Sequence, residues 1–201
     1  MTTRTATIPT AILAAMALAA LPATALAQPA ITIDVENPEL MPGQSTTVTL
    51  LGGYGGTDFA VAGVATNLIT SVGSEGWSDA MRLDPMAGPG TSAGSASATG
   101  WNGIIAGQLN FPGGAGIFAD PTNPIAFWSV TYTAPLVVTA PFEIDLSTLT
   151  TRYDVFIASE STLSESRLAE LTEGSATIHV IPAPASALVL ALGAVALRRR
   201  R

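Results

Sequence analysis

The sequence predicts an all-β protein, an antiparallel β-sandwich flanked by two apolar terminal segments. Three observations carry this reading. Short runs of β-branched residues alternate with a period of two, and Gly, Pro, Asn and Asp punctuate them at close intervals. Between these runs no helix stands that could carry a βαβ crossover, so a parallel sheet cannot be built.

The first strand covers 30–36, with Ile31, Ile33 and Val35 on one face and Thr32, Asp34 and Glu36 on the other. Residues 37–43 (NPELMPG) form a turn, because Pro fixes φ and Gly permits positive φ. The Thr-rich run 45–51 is the second strand, and further strands are expected at 59–64, 67–72, 103–111, 125–133, 142–146, 153–158 and 176–181. In 125–133, Trp128, Val130 and Tyr132 share an apolar face that reads as core. Segment 164–171 (SESRLAEL) predicts one short helix, with Leu168 and Leu171 three apart and Gly174 as its stop. Segment 87–100 is low in complexity and lacks large apolar residues, so a flexible surface loop is expected there.

Charge separates the ends from the body. The chain has 201 residues and a net charge of −7, with no Cys and one His. All eight basic residues are Arg, and five of them lie at the ends, at Arg4 and Arg198 to Arg201. The body holds Arg82, Arg152 and Arg167 against all fifteen acids, a balance of 3 − 15 = −12. The missing Cys excludes disulfide scaffolds and thiol chemistry, and a single His excludes a multi-His metal centre. An acidic body argues against nucleic acid as a partner.

The N-terminus has the parts of a secretory signal peptide spanning 1–27. Arg4 supplies the positive region, 11–21 is the apolar stretch, and Ala25-Leu26-Ala27 is a signal-peptidase site before Gln28. The apolar stretch reaches only about half the length needed to span a bilayer, which favours cleavage over anchoring. At the other end, Pro182-Ala183-Pro184 precedes an apolar run at 185–197, and Arg198, Arg199, Arg200 and Arg201 follow. With the arginines snorkelling, this run is expected to form a short transmembrane helix whose basic end stays in the cytoplasm.

That order of Pro-x-Pro, short apolar helix and Arg cluster resembles the PEP-CTERM protein-sorting signal, in a PAP variant where Ala183 replaces the family's Glu. The resemblance covers 181–201. It implies export, transient anchoring in the inner membrane, and an exosortase-like membrane enzyme as processing partner beside signal peptidase. It also implies a cell-surface or extracellular-matrix setting with extracellular polysaccharide nearby. The body between 28 and 180 resembles cohesin-like and related jelly-roll sandwiches through its opening ITIDVENPELMPGQSTTVTL.

Catalytic constellations are weak. His179 is the sole imidazole and sits in an alternating strand, where a structural role is expected. Glu143 and Asp145 share one face of their strand, with Phe142, Ile144 and Leu146 turned inward, so the acids read as a solvated face; Asp34 and Glu36 read the same way. No cofactor is expected. Structural calcium is the one cation that the acidic loops at Asp58, 75–84 and 120–123 suit, although Asp-Pro pairs there serve equally as turn initiators. Trp77 and Trp101 lie in Gly-rich loops and are the aromatics expected to stack on a ligand if exposed. The sequence therefore points to a non-enzymatic binding or structural module, with a carbohydrate-binding module as alternative and a secreted hydrolase third.

Overall fold

The computed structural model describes residues 28–113 and 116–183, so most of the two predicted terminal segments lies outside it. In chain order the strands are β1 (Ala30–Val35), β2 (Glu39–Leu40), β3 (Ser45–Gly53), β4 (Ala60–Thr70), β5 (Trp77–Arg82), β6 (Ser92–Ser97), β7 (Gly100–Gly107), β8 (Ile125–Thr133), β9 (Phe142–Phe156), β10 (Ser164–Ser166) and β11 (Ser175–Val180). A smaller sheet runs β1-β3-β8-β5, and a larger one runs β2-β11-β9-β4-β7-β6 with β10 added alongside β9. Every pairing between these strands is antiparallel except that of the two-residue β2 with β11, so the larger sheet is mixed. Among the described residues no helix is long and apolar enough to cross a membrane.

The period-two pattern explains how the sheets close on each other. Ile31, Ile33, Val48 and Leu50 of the smaller sheet face Val64, Leu68, Ile144 and Ile178 of the larger one, and all are buried. Trp128, Val130 and Tyr132 fill the middle, as their shared face predicts. Phe127 joins them because the register of β3 and β8 slips between Leu50 and Leu51, a bulge that turns two successive rings inward. The Tyr153 hydroxyl, fully enclosed, donates to the Gly53 carbonyl at 2.8 Å and ties the sheets together.

Two pairs of expected strands are single strands. Residues 59–64 and 67–72 merge into β4, and 142–146 and 153–158 merge into the fifteen-residue β9. The apparent breaks were inward-facing threonines, which look like turn residues in sequence. Here the Thr66 and Thr150 hydroxyls lie 3.0 Å apart. The Glu173 carboxylate accepts from Thr148 Oγ1 at 2.6 Å, Thr150 N at 2.7 Å and Thr150 Oγ1 at 2.9 Å. Buried hydroxyls with partners do not interrupt a strand.

Two further expectations are corrected. The helix at 164–171 is absent. Ser164–Ser166 pairs with β9, Arg167 N–H donates to Tyr153 O at 2.8 Å, and only Leu168–Glu170 makes a 3-10 turn. An isolated two-turn helix is a poor competitor for an open strand edge that satisfies the same backbone groups. Segment 87–100 is not wholly a loop either, since its small residues form edge strand β6. Ala93 O accepts the Trp128 indole N–H at 2.9 Å. Gly94, at φ +77°, lies so close to Asn102 O that a Cβ would sit 2.7 Å from it. Small side chains let this strand cap the largest ring of the core.

The ends of the sandwich differ. Val180 pairs with Phe142, and Ile181 N–H donates to Leu40 O at 2.8 Å, so the chain leaves β11 beside the start of β9. At the far end lie Ala30, Gly53, Ala60, Gly107 and Phe156, the opposite termini of their strands.

Candidate binding face

At the far end, residues 108–113 and 116–120 lie over the outer surface of the larger sheet. Two buried amides hold them there. Gln108 Nε2 donates to Val61 O at 2.6 Å and Asp120 O at 3.2 Å, and its Oε1 accepts Asp120 N–H at 2.8 Å. Asn110 Nδ2 donates to Ser161 O at 2.7 Å and Ser159 O at 3.0 Å, while its Oδ1 accepts Ala119 N–H at 3.1 Å. Beneath the segment, Ala119 packs with Ala60, Ala62 and Phe156 in a small apolar cluster separate from the main core. A short bridge between Phe111 and Ile117 draws its two limbs together.

This anchoring leaves Leu109, Phe111, Ile117 and Phe118 turned outward, the last 61% exposed. Between the segment and Pro89–Thr91 runs a groove floored by Gly63, Ala65, Ile105 and Gly107, with hollows of about 290 and 210 Å³ meeting at Gln108, Leu109 and Arg152. Leu149, 55% exposed, stands beside Asn67 on the same sheet surface. Apolar area of this kind, rimmed by polar groups, is what a docking surface presents.

Arg152 supplies the charge. Its Nε binds Asp154, its side chain is 67% exposed, and its two terminal nitrogens make no further bond among the described residues. The other described arginines each engage at least one terminal nitrogen. Arg82 donates to Thr91 Oγ1 at 2.6 Å. Arg167 grips Asp58 at 2.8 and 3.1 Å and Glu165 at 3.1 Å, and the Asp58 hydrogen bonds hold its guanidinium firmly protonated. Thus the groove holds the one described guanidinium with both terminal nitrogens open, suited to a carboxylate or phosphate-like oxygen pair.

The residues singled out from sequence do not converge here. Trp77 is buried and tilted against Tyr132 at 4.9 Å between ring centres, and half-buried Trp101 meets Trp128 edge-on at 6.1 Å. Their indole N–H groups are buried with no partner among the described residues. Trp77 therefore packs within the core and Trp101 against it, because β5 and β7 extend through the Gly-rich stretches that read as loops. His179 lies on the opposite edge region of the larger sheet, with Nδ1 3.2 Å from Glu143 Oε1 and Glu39 as its other cross-strand neighbour. Glu143 and Asp145 point to solvent, as the alternation of β9 predicts, and so do Asp34 and Glu36.

Gly90-Thr91-Ser92-Ala93-Gly94 has the G-x-S-x-G spacing of a nucleophile elbow, but it enters β6 and no helix follows. Ser92 Oγ accepts Gly94 N–H at 3.0 Å, and four strand spacings, about 19 Å, separate β6 from the strand of His179. Among the described residues no three His, Asp or Glu side chains converge as a metal cage. Asp58 serves Arg167, and Asp120 accepts the Thr122 hydroxyl at 2.6 Å and N–H at 2.8 Å, which holds its carboxyl below the usual range. Of the predicted processing sites, Gln28 is exposed, as is Ala183, and Pro182 is half-buried; Ala25, Ala27, Pro184 and Arg198 to Arg201 lie outside the described residues.

Sequence comparison adds nothing to this geometry: no protein-family model and no curated protein matches the chain. Solved structures do match. The seventh ScaB type I cohesin of Pseudobacteroides cellulosolvens aligns over 76% of this chain and 92% of its own, with a TM-score of 0.51 and 15% identity. The fold is cohesin-like. The Coh-OlpC cohesin of Clostridium thermocellum, solved with Doc435, covers 80% of this chain and 97% of its own at a TM-score of 0.48 and 10% identity. The sixth cohesin of Acetivibrio cellulolyticus scaffoldin B, in complex with a Cel5 dockerin mutant, covers 78% and 98% at 0.45 and 11%. The cohesin-like sandwich accounts for the antiparallel core and the opening strand–turn–strand. The groove beside residues 108–120 is described from this chain's own side chains.

Proposed function

We propose that this chain is an exported, non-enzymatic docking module of the cell envelope or extracellular matrix, binding a protein partner on the outer face of its larger sheet. One observation carries the reading: the apolar side chains Leu109, Phe111, Ile117 and Phe118 are held outward by two fully engaged buried amides, beside a groove with an open Arg152. A rigid frame under exposed apolar groups lowers the ordering cost of binding. The cohesin-like fold supports a protein partner, since the solved cohesins include complexes with dockerins. The packing of Trp77 against Tyr132 and of Trp101 against Trp128 supports a protein partner over the carbohydrate-binding alternative.

Delivery follows from the ends of the chain: 1–27 as a cleaved signal peptide, and 181–201 as a PEP-CTERM-like segment handled by an exosortase-type enzyme. Two experiments test the whole. Crosslinking on intact cells should trap a partner through the wild-type surface and not through Phe118→Asp or Arg152→Glu; equal yields from all three would refute the docking face, and sugar binding that survives these changes would favour the glycan alternative. Fractionation should find the chain in the envelope without residues 1–27, and a cytoplasmic chain still carrying them would refute the export route.

A further inference from the structure

We infer that the end of the sandwich from which Ile181 departs is a lipid-contacting surface, seated on the bilayer by the apolar loop 134–141. This rests on reading 185–197 as a membrane-inserting segment. The two most exposed large apolar side chains among the described residues are Leu136 and Val137, at 85% and 79%. They sit in a loop, APLVVTAP, with no charged residue. Contacts place that loop at the exit of the chain. Ile181 N–H bonds to Leu40 O, the following turn brings Gly43 N–H to the carbonyls of Ala134 and Pro135 at 3.2 Å, and Leu136 Cδ2 lies 3.1 Å from where a Gly43 Cβ would stand. Met41 and Ile181, 42% and 37% exposed, continue the same apolar end.

Tether length makes the contact obligatory once the segment inserts. Only Pro182, Ala183 and Pro184 separate Ile181 from Ala185. Fully extended, those four steps span at most about 14 Å, and the two prolines keep the link stiff. The end of the domain is thus held within the depth of the headgroup region, with Leu136 and Val137 at the level where apolar side chains are stabilised by transfer out of water. Glu39, Glu75 and Glu143 lie around this end, so zwitterionic lipid suits it better than anionic lipid. The 108–120 groove, at the opposite end of β4 and β9, then faces away from the membrane.

The absence of Cys provides the test. Single-cysteine forms of the full chain, Val137→Cys, Phe118→Cys and Val189→Cys, carry an environment-sensitive fluorophore and are reconstituted in phosphatidylcholine/phosphatidylethanolamine vesicles containing nitroxide-labelled lipid. The expected result is strong quenching at 137 and 189, several-fold above that at 118. Quenching at 189 with 137 no different from 118 overturns the seated end while leaving the anchor intact. No quenching at 189 overturns the anchor and the seated end together.

Discussion

Replacing Asn110 by alanine should release residues 108–120 while the sandwich stays folded. Asn110 is 2% exposed, and its amide makes three short hydrogen bonds, to Ser161 O, Ser159 O and Ala119 N, beside a long one to Ala158 O at 3.5 Å. At a net value of about 1 kcal/mol each, the three contribute about 3 kcal/mol to keeping the segment closed. That corresponds to roughly two powers of ten in the local opening constant. The loss stays local because the cluster of Ala60, Ala62, Ala119 and Phe156 is separate from the main core. Native-state hydrogen exchange reads this directly: the Ala119 amide should exchange about a hundredfold faster, with the Val130 amide of β8 unchanged. Asn110→Asp, which aims a buried carboxylate oxygen at the Ser159 and Ser161 carbonyls, should open the segment at least as much. An unchanged Ala119 amide, or equal acceleration at Val130, would refute the claim that this amide holds the docking segment independently of the core.

Three other outcomes follow from the geometry. Tyr153→Phe should cost about 1–2 kcal/mol in urea titration, since the Gly53 carbonyl loses its buried donor. Burial pushes the Tyr153 phenol well up, so the folded state keeps it neutral while the unfolded chain ionises above pH about 10; stability is steady below that pH and declines above it, and the phenylalanine variant should show a shallower decline. Asp58→Ala should leave Arg167 without its bidentate partner, at a cost of about 2 kcal/mol, and should speed proteolytic cutting in 157–163 beside β10.

Much of the sandwich was legible because its inward apolar residues alternate along the strand, as in β1, β3 and β11. What misled was composition. The threonines of β4 and β9 resemble turn residues until their partners, one of them Glu173, are known, and such partners are remote in sequence. Segment 87–100 looked structureless because it lacks bulk, and bulk is what the close approach of Gly94 to Asn102 and the cap over Trp128 forbid. The Gly-rich settings of Trp77 and Trp101 suggested loops, whereas Gly76 and Gly100 permit close approach to the neighbouring strands. The segment around Gln108 and Asn110 left a fainter trace: Leu109, Phe111, Ile117 and Phe118 carry no period, and their outward direction is set by those two amides reaching to carbonyls as far away as Val61 and Ser161. No local pattern announces a buried amide of that kind.

The pairing of β4 with β9 also governs when the protein can acquire its shape. The two strands that form the middle of the larger sheet are separated by more than seventy residues, and β3 likewise waits for β8. On the proposed export route, a chain emerging from its N-terminus can close the smaller sheet only once Thr133 is out, and the middle of the larger one only with Phe156, when β10 and β11 remain to be added. Folding is therefore a late, non-local event, slow by the measure of sequence separation, and the apolar strands β3 and β4 spend that interval uncovered. A factor that covers these strands, or simply a low local concentration of emerging chains, would matter more to the yield of this protein than any single contact in its finished core.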